Sequence, residues 1–300
     1  MYPMTSPNSK AVVMPGRKEN VGTLVQNAYG KSRVRLSKVT RHKDRHELQE
    51  LSVDVLLQGD FADTYTQGNN SKVVATDSIR NTVYVLAAEH ELKDIESFAR
   101  DLSSHFLKTY AQVEEATVSI SQDLWQRIDV NGTPHHHAFY GAGGEKRYAQ
   151  AAQTRDKLSI ISGIDDLRLV KTTDSEFVGF VRDRYTTLAE VKDRIFGTTV
   201  QARWLFASPD NDFNHCYELI RGAIFDVFAT HMSLSVQQTM NEAGQQALAR
   251  CACIKEITLI MPNQHRIPFN LQPFGLENKN EIFVTTDEPY GLISATIVRN

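Results

Sequence analysis

Cysteine is scarce in this chain: three among 300 residues, Cys216, Cys251 and Cys253. Three thiols cannot all pair within one chain and their spacing is no disulfide framework, so a reducing compartment is expected and the core must hold the fold. Charge of one sign is scarce too. A net charge of −3 and a pI near 6.4 leave no global basic surface, which argues against nucleic acid or an anionic membrane as the main partner. Long apolar runs are missing, none approaching the roughly 20 residues that span a bilayer. The opening MYPMTSPNSKAVVMPGRKEN has no apolar centre of the signal-peptide kind, and residues 1–20 read as a flexible polar tail. Ile297-Val298-Arg299-Asn300 is no recognisable peroxisomal address, so a cytoplasmic location is expected.

What is present is apolar content at 41% and charge at 23%, enough for one large or two ordinary domains with proper cores. KSRVRLSKVTR and ELQELSVDVLLQG flank a charged turn at 42–46, and Val53, Val55 and Leu57 alternate, which predicts a long antiparallel hairpin. Leu92, Ile95, Phe98, Leu102 and Phe106 recur at three- and four-residue steps, one face of an amphipathic helix. QVEEATVSISQDLWQRI and HAFYGAGGEKRYAQAAQ give strands again. The second half repeats this order: strands around LSIISGIDDLRLVKTT and TTVQARWLFA, two helices at CYELIRGAIFDVFATHM and VQQTMNEAGQQALARC, then closing strands in EITLIMPNQHRIPFNL and EIFVTTDEPYGLISATIVR. A duplicated α+β fold follows, antiparallel sheet with helices on one face, with units at 21–155 and 156–300. Strand edges in such units would be exposed unless other subunits covered them, which makes a closed oligomeric barrel plausible.

Several residues carry possible chemistry. Thr76-Asp77 precede a helical stretch, and Thr187-Leu188-Ala189-Glu190 and Ser235-Val236-Gln237-Gln238 both fit the capping-box pattern. Such residues most often only satisfy orphan amides, yet helix starts also present free N–H groups to an anion. Lys31 opens the first strand; most strand lysines are solvated, and a base would need burial or a positive neighbour. Arg194 most simply lies on a solvated helix face, but its fork also suits a planar ligand with adjacent acceptors. Asn263 and His265, in MPNQH, sit at a strand end or turn. His135, His136 and His137 offer an H-x-H pair that would alternate onto one face of a strand.

Taken together, YGKSRVR at 29–35, VVATDSIRNTVY at 73–84, SEFVGFVRDRYTTLAEVKDRI at 175–195, SVQQTM at 235–240 and LIMPNQH at 259–265 resemble the cofactor-free urate oxidases, the uricases. The resemblance runs from about Val21 to Val298. It implies two tandem tunnelling-fold (T-fold) domains per chain and a homotetrameric barrel with active sites at subunit interfaces. It implies oxidation of urate with dioxygen and water to 5-hydroxyisourate and hydrogen peroxide, with no metal or organic cofactor. By the same resemblance Arg194 and Gln237 clamp urate with help from the Val236 amide, Phe177 stacks on the purine, and Leu188 lines the pocket. The Thr76 hydroxyl and Asp77 amide contact substrate, Asn263 holds dioxygen or water over the ring, and Lys31, Thr76 and His265 form a proton relay. His135–His137 then take a structural or interface role. Two rival readings remain open from residues alone: a zinc-dependent T-fold pterin synthase or cyclohydrolase using His135, His137, Cys251 and Cys253, and a non-catalytic purine-binding relative.

Overall fold

The computed structural model describes residues 21–286 and 288–300; the expected tail at 1–20 lies outside them. The chain runs β1 (Tyr29–Arg41), β2 (His46–Gly59), α1 (Ala62–Gln67), α2 (Thr76–Glu89), α3 (Ile95–Thr109), β3 (Val113–Val130) and β4 (Thr133–Thr154). It continues with β5 (Leu158–Lys171), β6 (Phe196–Phe206), α4 (Phe213–Thr230), α5 (Val236–Arg250), β7 (Ile254–Ile260), β8 (Arg266–Pro268), β9 (Phe283–Thr285) and β10 (Ser294–Val298). The duplicated order of strand pair, helices, strand pair is therefore present. The two halves join into one eight-stranded antiparallel sheet, β1-β2-β3-β4-β5-β6-β7-β10, because β4 and β5 pair directly across a short turn.

Alternation fixes which face is covered. Leu51, Val53, Val55 and Leu57 of β2 and Ala116, Val118 and Ile120 of β3 are buried beneath α2 and α3, with Ile79, Phe98, Leu102 and Phe106 packed on them. The second half builds its own cluster from Val200, Ala202 and Trp204 of β6, Ile257 and Leu259 of β7, and Ile220, Ile224, Met240 and Ala247 of α4 and α5. The opposite sheet face carries polar side chains such as Ser119, Tyr148 and Gln150, which hydrogen-bond one another at 3.0 to 3.3 Å. This is the pattern of an antiparallel sheet covered by helices on one side only.

Local chemistry explains the element ends. The β3–β4 hairpin turns through Asn131 and Gly132, both at positive φ (53° and 79°), the pair that a two-residue hairpin loop of this twist requires. Asp94 caps α3 by accepting the Ser97 amide at 2.7 Å, worth about 1 kcal/mol. Three expectations are corrected. No helix follows Thr187-Leu188-Ala189-Glu190: the segment between β5 and β6 is an irregular strap, so Arg194 does not lie on a helix face. Thr76 and Asp77 do not cap α2; Ala75 occupies the cap position, Thr76 is the first helical residue, and the Asp77 carboxylate pairs with Arg80 at 2.7 Å. The expected closing strands shrink to β8, β9 and β10, separated by loops.

Candidate active site

The strap at 172–195 is sewn to the start of α5 by its backbone. The Glu176 amide donates to the Ser233 carbonyl and the Ser233 amide to the Asp174 carbonyl, at 2.8 and 2.9 Å. Phe177 and Val191 exchange amide-to-carbonyl bonds at 2.8 and 3.2 Å, and the Arg194 amide donates to Ser175 at 2.8 Å. These bonds fold the strap back on itself, bringing Phe177, Leu188 and Arg194 beside Val236 and Gln237. Past the end of β7, the Asn263 amide donates to Gly291 and the Gln264 amide to Gly197, at 2.8 and 2.9 Å, which fixes the MPNQH segment on the other side.

The result is a cleft of about 190 Å³ lined by Phe177, Leu188, Arg194, Val236, Gln237, Asn263, His265 and Ile293. Seven residues singled out in the sequence thus converge from positions 177 to 265. Ile293, which no local signal marked, completes the lining. A second hollow of about 220 Å³ adjoins it and shares Leu188, Arg194, Asn263 and His265.

Arg194 dominates the electrostatics. Burial pushes its pKa below the usual guanidinium value, no carboxylate pairs with it among the described residues, and its Nε is buried without a hydrogen-bond partner. Its guanidinium carbon lies 5.4 Å from the centroid of the Phe177 ring, which in turn stacks on Phe180 at 5.0 Å and 9°. Beside it stands the start of α5. Ser235 caps the helix by accepting the Gln238 amide at 3.1 Å, which leaves the first two amides, of Val236 and Gln237, without an intrahelical acceptor. The Gln238 side chain reaches back to the Leu234 amide at 3.0 Å, one residue earlier than in a regular capping box. An unpaired guanidinium, two free amides and an aromatic face form a receptor for a flat, anionic, hydrogen-bonding molecule.

Lys31, Thr76 and Asp77 do not line this cleft within one chain. They share a corner of the first half. The Tyr29 hydroxyl accepts the Val74 amide at 2.8 Å, tying the start of β1 to the segment that leads into α2, and its ring meets Phe61 edge-on at 4.8 Å. Directly after Lys31 the β1–β2 register slips between Lys31 and Val34, where Arg33 takes φ of 57° and donates its amide to Asp54 at 2.7 Å. Such a bulge re-aims the neighbouring side chains. Thr76 stands exposed at the uncapped first turn of α2, whose opening amides are also free for an anion.

The triple histidine is elsewhere. His136 and His137 line a separate cleft with His42 and His46, between the tips of the two first-half hairpins, and the His135 and His137 rings lie 4.6 Å apart. Cys251 and Cys253 do not join those histidines; they gather with Cys216 instead. The ligand set that the zinc reading needed is therefore split between two places.

Comparison with known proteins points one way. The Uricase family model matches residues 27–152 and 160–294. The chain is 43% identical over 276 residues to the uricase of Arthrobacter globiformis, covering 92% of this chain and 90% of that one. It is 38% identical over 284 residues to the uricase of Dictyostelium discoideum, covering 93% and 99%. In three dimensions it matches the crystal structure of the Arthrobacter globiformis uricase at a TM-score of 0.89, over 93% of this chain and 96% of that one, at 43% identity. It matches the urate oxidase of Bacillus sp. TB-90 at 0.79, over 91% and 100%, at 25% identity.

Proposed function

The chain belongs to the uricase family and is an oxidoreductase acting on urate with dioxygen, and we propose that its catalytic site is completed by Lys31, Thr76 and Asp77 of a second copy. The observation that carries this reading is the half-buried Arg194 guanidinium without a carboxylate partner among the described residues, facing a cleft that Lys31 does not line. Urate supplies what that cleft lacks. Its anion answers Arg194, its adjacent ring acceptors match the Arg194 and Gln237 donors with the Val236 amide, and its plane stacks on Phe177 while Leu188 closes the edge.

Lys31 enters from the partner chain. Lys31 acts through the Thr76 hydroxyl to take a second proton from bound urate, and His265, already in the cleft, supports Lys31 across the interface. The resulting dianion is electron-rich enough to give electrons to dioxygen directly. Asn263 holds dioxygen, and then water, over the ring, and the cationic pocket stabilises the charge that develops. The products are 5-hydroxyisourate and hydrogen peroxide, and this route uses no metal or organic cofactor. The Asp77 backbone amide is the substrate contact, since its carboxylate is taken by Arg80.

Two exposed features support assembly as a homotetramer. β1 and β10 each leave one edge of the sheet unpaired, and a barrel of several chains satisfies both. Each half, 21–155 and 156–300, is then one T-fold unit of that barrel, and the protein works in the cytoplasm.

The decisive experiment mixes two inactive variants, Lys31→Met and Arg194→Met, refolded or co-expressed together. If sites are shared across a two-fold interface, half the pairs are mixed and each mixed pair regains one intact site of two, so about a quarter of wild-type turnover returns. Activity that stays at the background of the separate variants refutes the shared site.

A further inference from the structure

Away from the urate cleft, three side chains converge that the oxidation of urate does not use. Cys216 lies in the first turn of α4, Cys251 is the residue that ends α5, and Cys253 stands two residues on, just before β7. Their sulfurs lie 2.9 Å apart for Cys216 and Cys253 and 3.2 Å for Cys251 and Cys253, and all three fall within 4.8 Å of one another. No histidine, aspartate or glutamate joins the group among the described residues. Cys216 and Cys251 are buried, and Cys253 is half-buried, which leaves one side of the group open to entry. The urate cleft is at the other end of α5. The 15-residue helix runs from Val236 to Arg250, a separation of about 21 Å at 1.5 Å per residue.

We propose that Cys216, Cys251 and Cys253 form a three-sulfur site for a soft, thiophilic ion, Cu(I). Ligand type selects the ion: sulfur alone, without oxygen or nitrogen, suits Cu(I) and zinc but not magnesium, calcium or manganese. Ligand number then separates the two. Structural zinc sites are almost always closed by four protein ligands, whereas three converging sulfurs in a mostly buried pocket leave none to supply the fourth. Binding releases a proton from each thiol, three thiols and one Cu(I) giving one tris-thiolate complex. Because binding displaces thiol protons, uptake strengthens as pH rises. The Arg299 guanidinium donates to the Leu248 and Cys251 carbonyls at 2.6 and 2.9 Å, which fixes the end of α5 that carries Cys251.

The test is anaerobic titration of the reduced full-length protein with Cu(I) against a competing Cu(I) chelator, read by sulfur-to-copper charge-transfer absorption and by X-ray absorption at the copper edge. The expected result is one ion per chain with a first shell of three sulfurs and release of about three protons per ion. Cys253→Ser is expected to weaken binding at least 100-fold and to abolish the rise in melting temperature that Cu(I) gives the wild type, while its urate oxidation stays intact. A nitrogen-dominated shell from the histidine cleft, undiminished binding in Cys253→Ser, or Zn(II) held in preference to Cu(I) would each overturn the proposal. So would a Cys216–Cys253 disulfide in protein never exposed to copper. The X-ray absorption arm needs only wild-type protein, so it decides the matter even if the variant does not fold.

Discussion

Arg194→Met is the sharpest test of the cleft, because its two effects are expected to have opposite signs. In the proposed clamp Arg194 would contribute two charge-assisted hydrogen bonds to a planar anion, each worth about 1.5–3 kcal/mol, so about 3–6 kcal/mol of binding to substrate and transition state is at stake. At about 1.4 kcal/mol per tenfold, kcat/KM should fall about 100- to 10,000-fold. The empty protein should respond differently. Its guanidinium is desolvated, has no carboxylate partner among the described residues, and leaves Nε buried and unsatisfied. Removing a half-buried charge that has no partner relieves part of a desolvation cost, the rest being screened by solvent. What is lost in return is the cation–π contact with Phe177 at 5.4 Å, worth about 0.5–1 kcal/mol, part of which a methionine sulfur against the ring restores. The unfolding free energy is therefore expected to stay level or rise by about 1 kcal/mol. Urea unfolding measures the second effect; loss of urate's ultraviolet absorbance with parallel oxygen uptake measures the first. A variant destabilised by more than about 2 kcal/mol, or one within tenfold of wild-type kcat/KM, would refute the reasoning, since Arg194 would then be a structural residue.

Two further outcomes follow from individual positions. A Cβ at Gly30 would lie 1.8 Å from the Val55 carbonyl oxygen, so Gly30→Ala must push β1 off β2 and should cost about 1–3 kcal/mol, with oxygen uptake lost as Lys31 moves; urea unfolding and an oxygen electrode check both. Glu96 sits fully buried against Arg147 and Ser162, and burial raises its pKa despite the arginine 2.8 Å away. A raised carboxyl contributes stability that is complete below the ordinary carboxylate pKa and lost as pH climbs through the raised value. Glu96→Gln removes that dependence, so its stability relative to wild type should improve from pH 4 towards pH 8, by urea unfolding at each pH; a relative decline would reverse the assignment.

Much of the architecture was legible because it rests on short-range periodicity. The alternation of Val53, Val55 and Leu57 and the spacing of Ile95, Phe98, Leu102 and Phe106 describe surfaces that must be buried, and both are. The capping-box pattern at Thr187–Glu190 misled because a cap signals a helix only where an apolar face follows it. Here the surrounding residues have no such face, with Val181 92%, Tyr185 72% and Leu188 55% exposed, so the strap is held by backbone bonds to α5 and to itself. Convergence was legible only through the family resemblance. Nothing in the spacing of Phe177, Arg194, Gln237 and His265 says that strap, helix start and strand end meet. The same holds for Cys216, which lies 37 residues before Cys253 in sequence and 2.9 Å from it in space.

The placement of Lys31, Thr76 and Asp77 outside the Arg194 cleft connects the fold to the chemistry. Each half of the chain covers only one face of its sheet with helices, leaving a polar face and the edges β1 and β10. Two free sheet edges offer backbone pairing groups to another chain, and in the proposed site the anion clamp and the base come from different halves. The proposed assembly would use both in one step. The clamp is held by backbone bonds among the strap, α5 and the β7 end, all within the second half, while the base depends on the β1 bulge and the uncapped start of α2, all within the first. The cost of an unpaired Arg194 falls on the empty chain. In the proposed shared site, that cost is recovered when urate lies between the clamp of one chain and the base of the next.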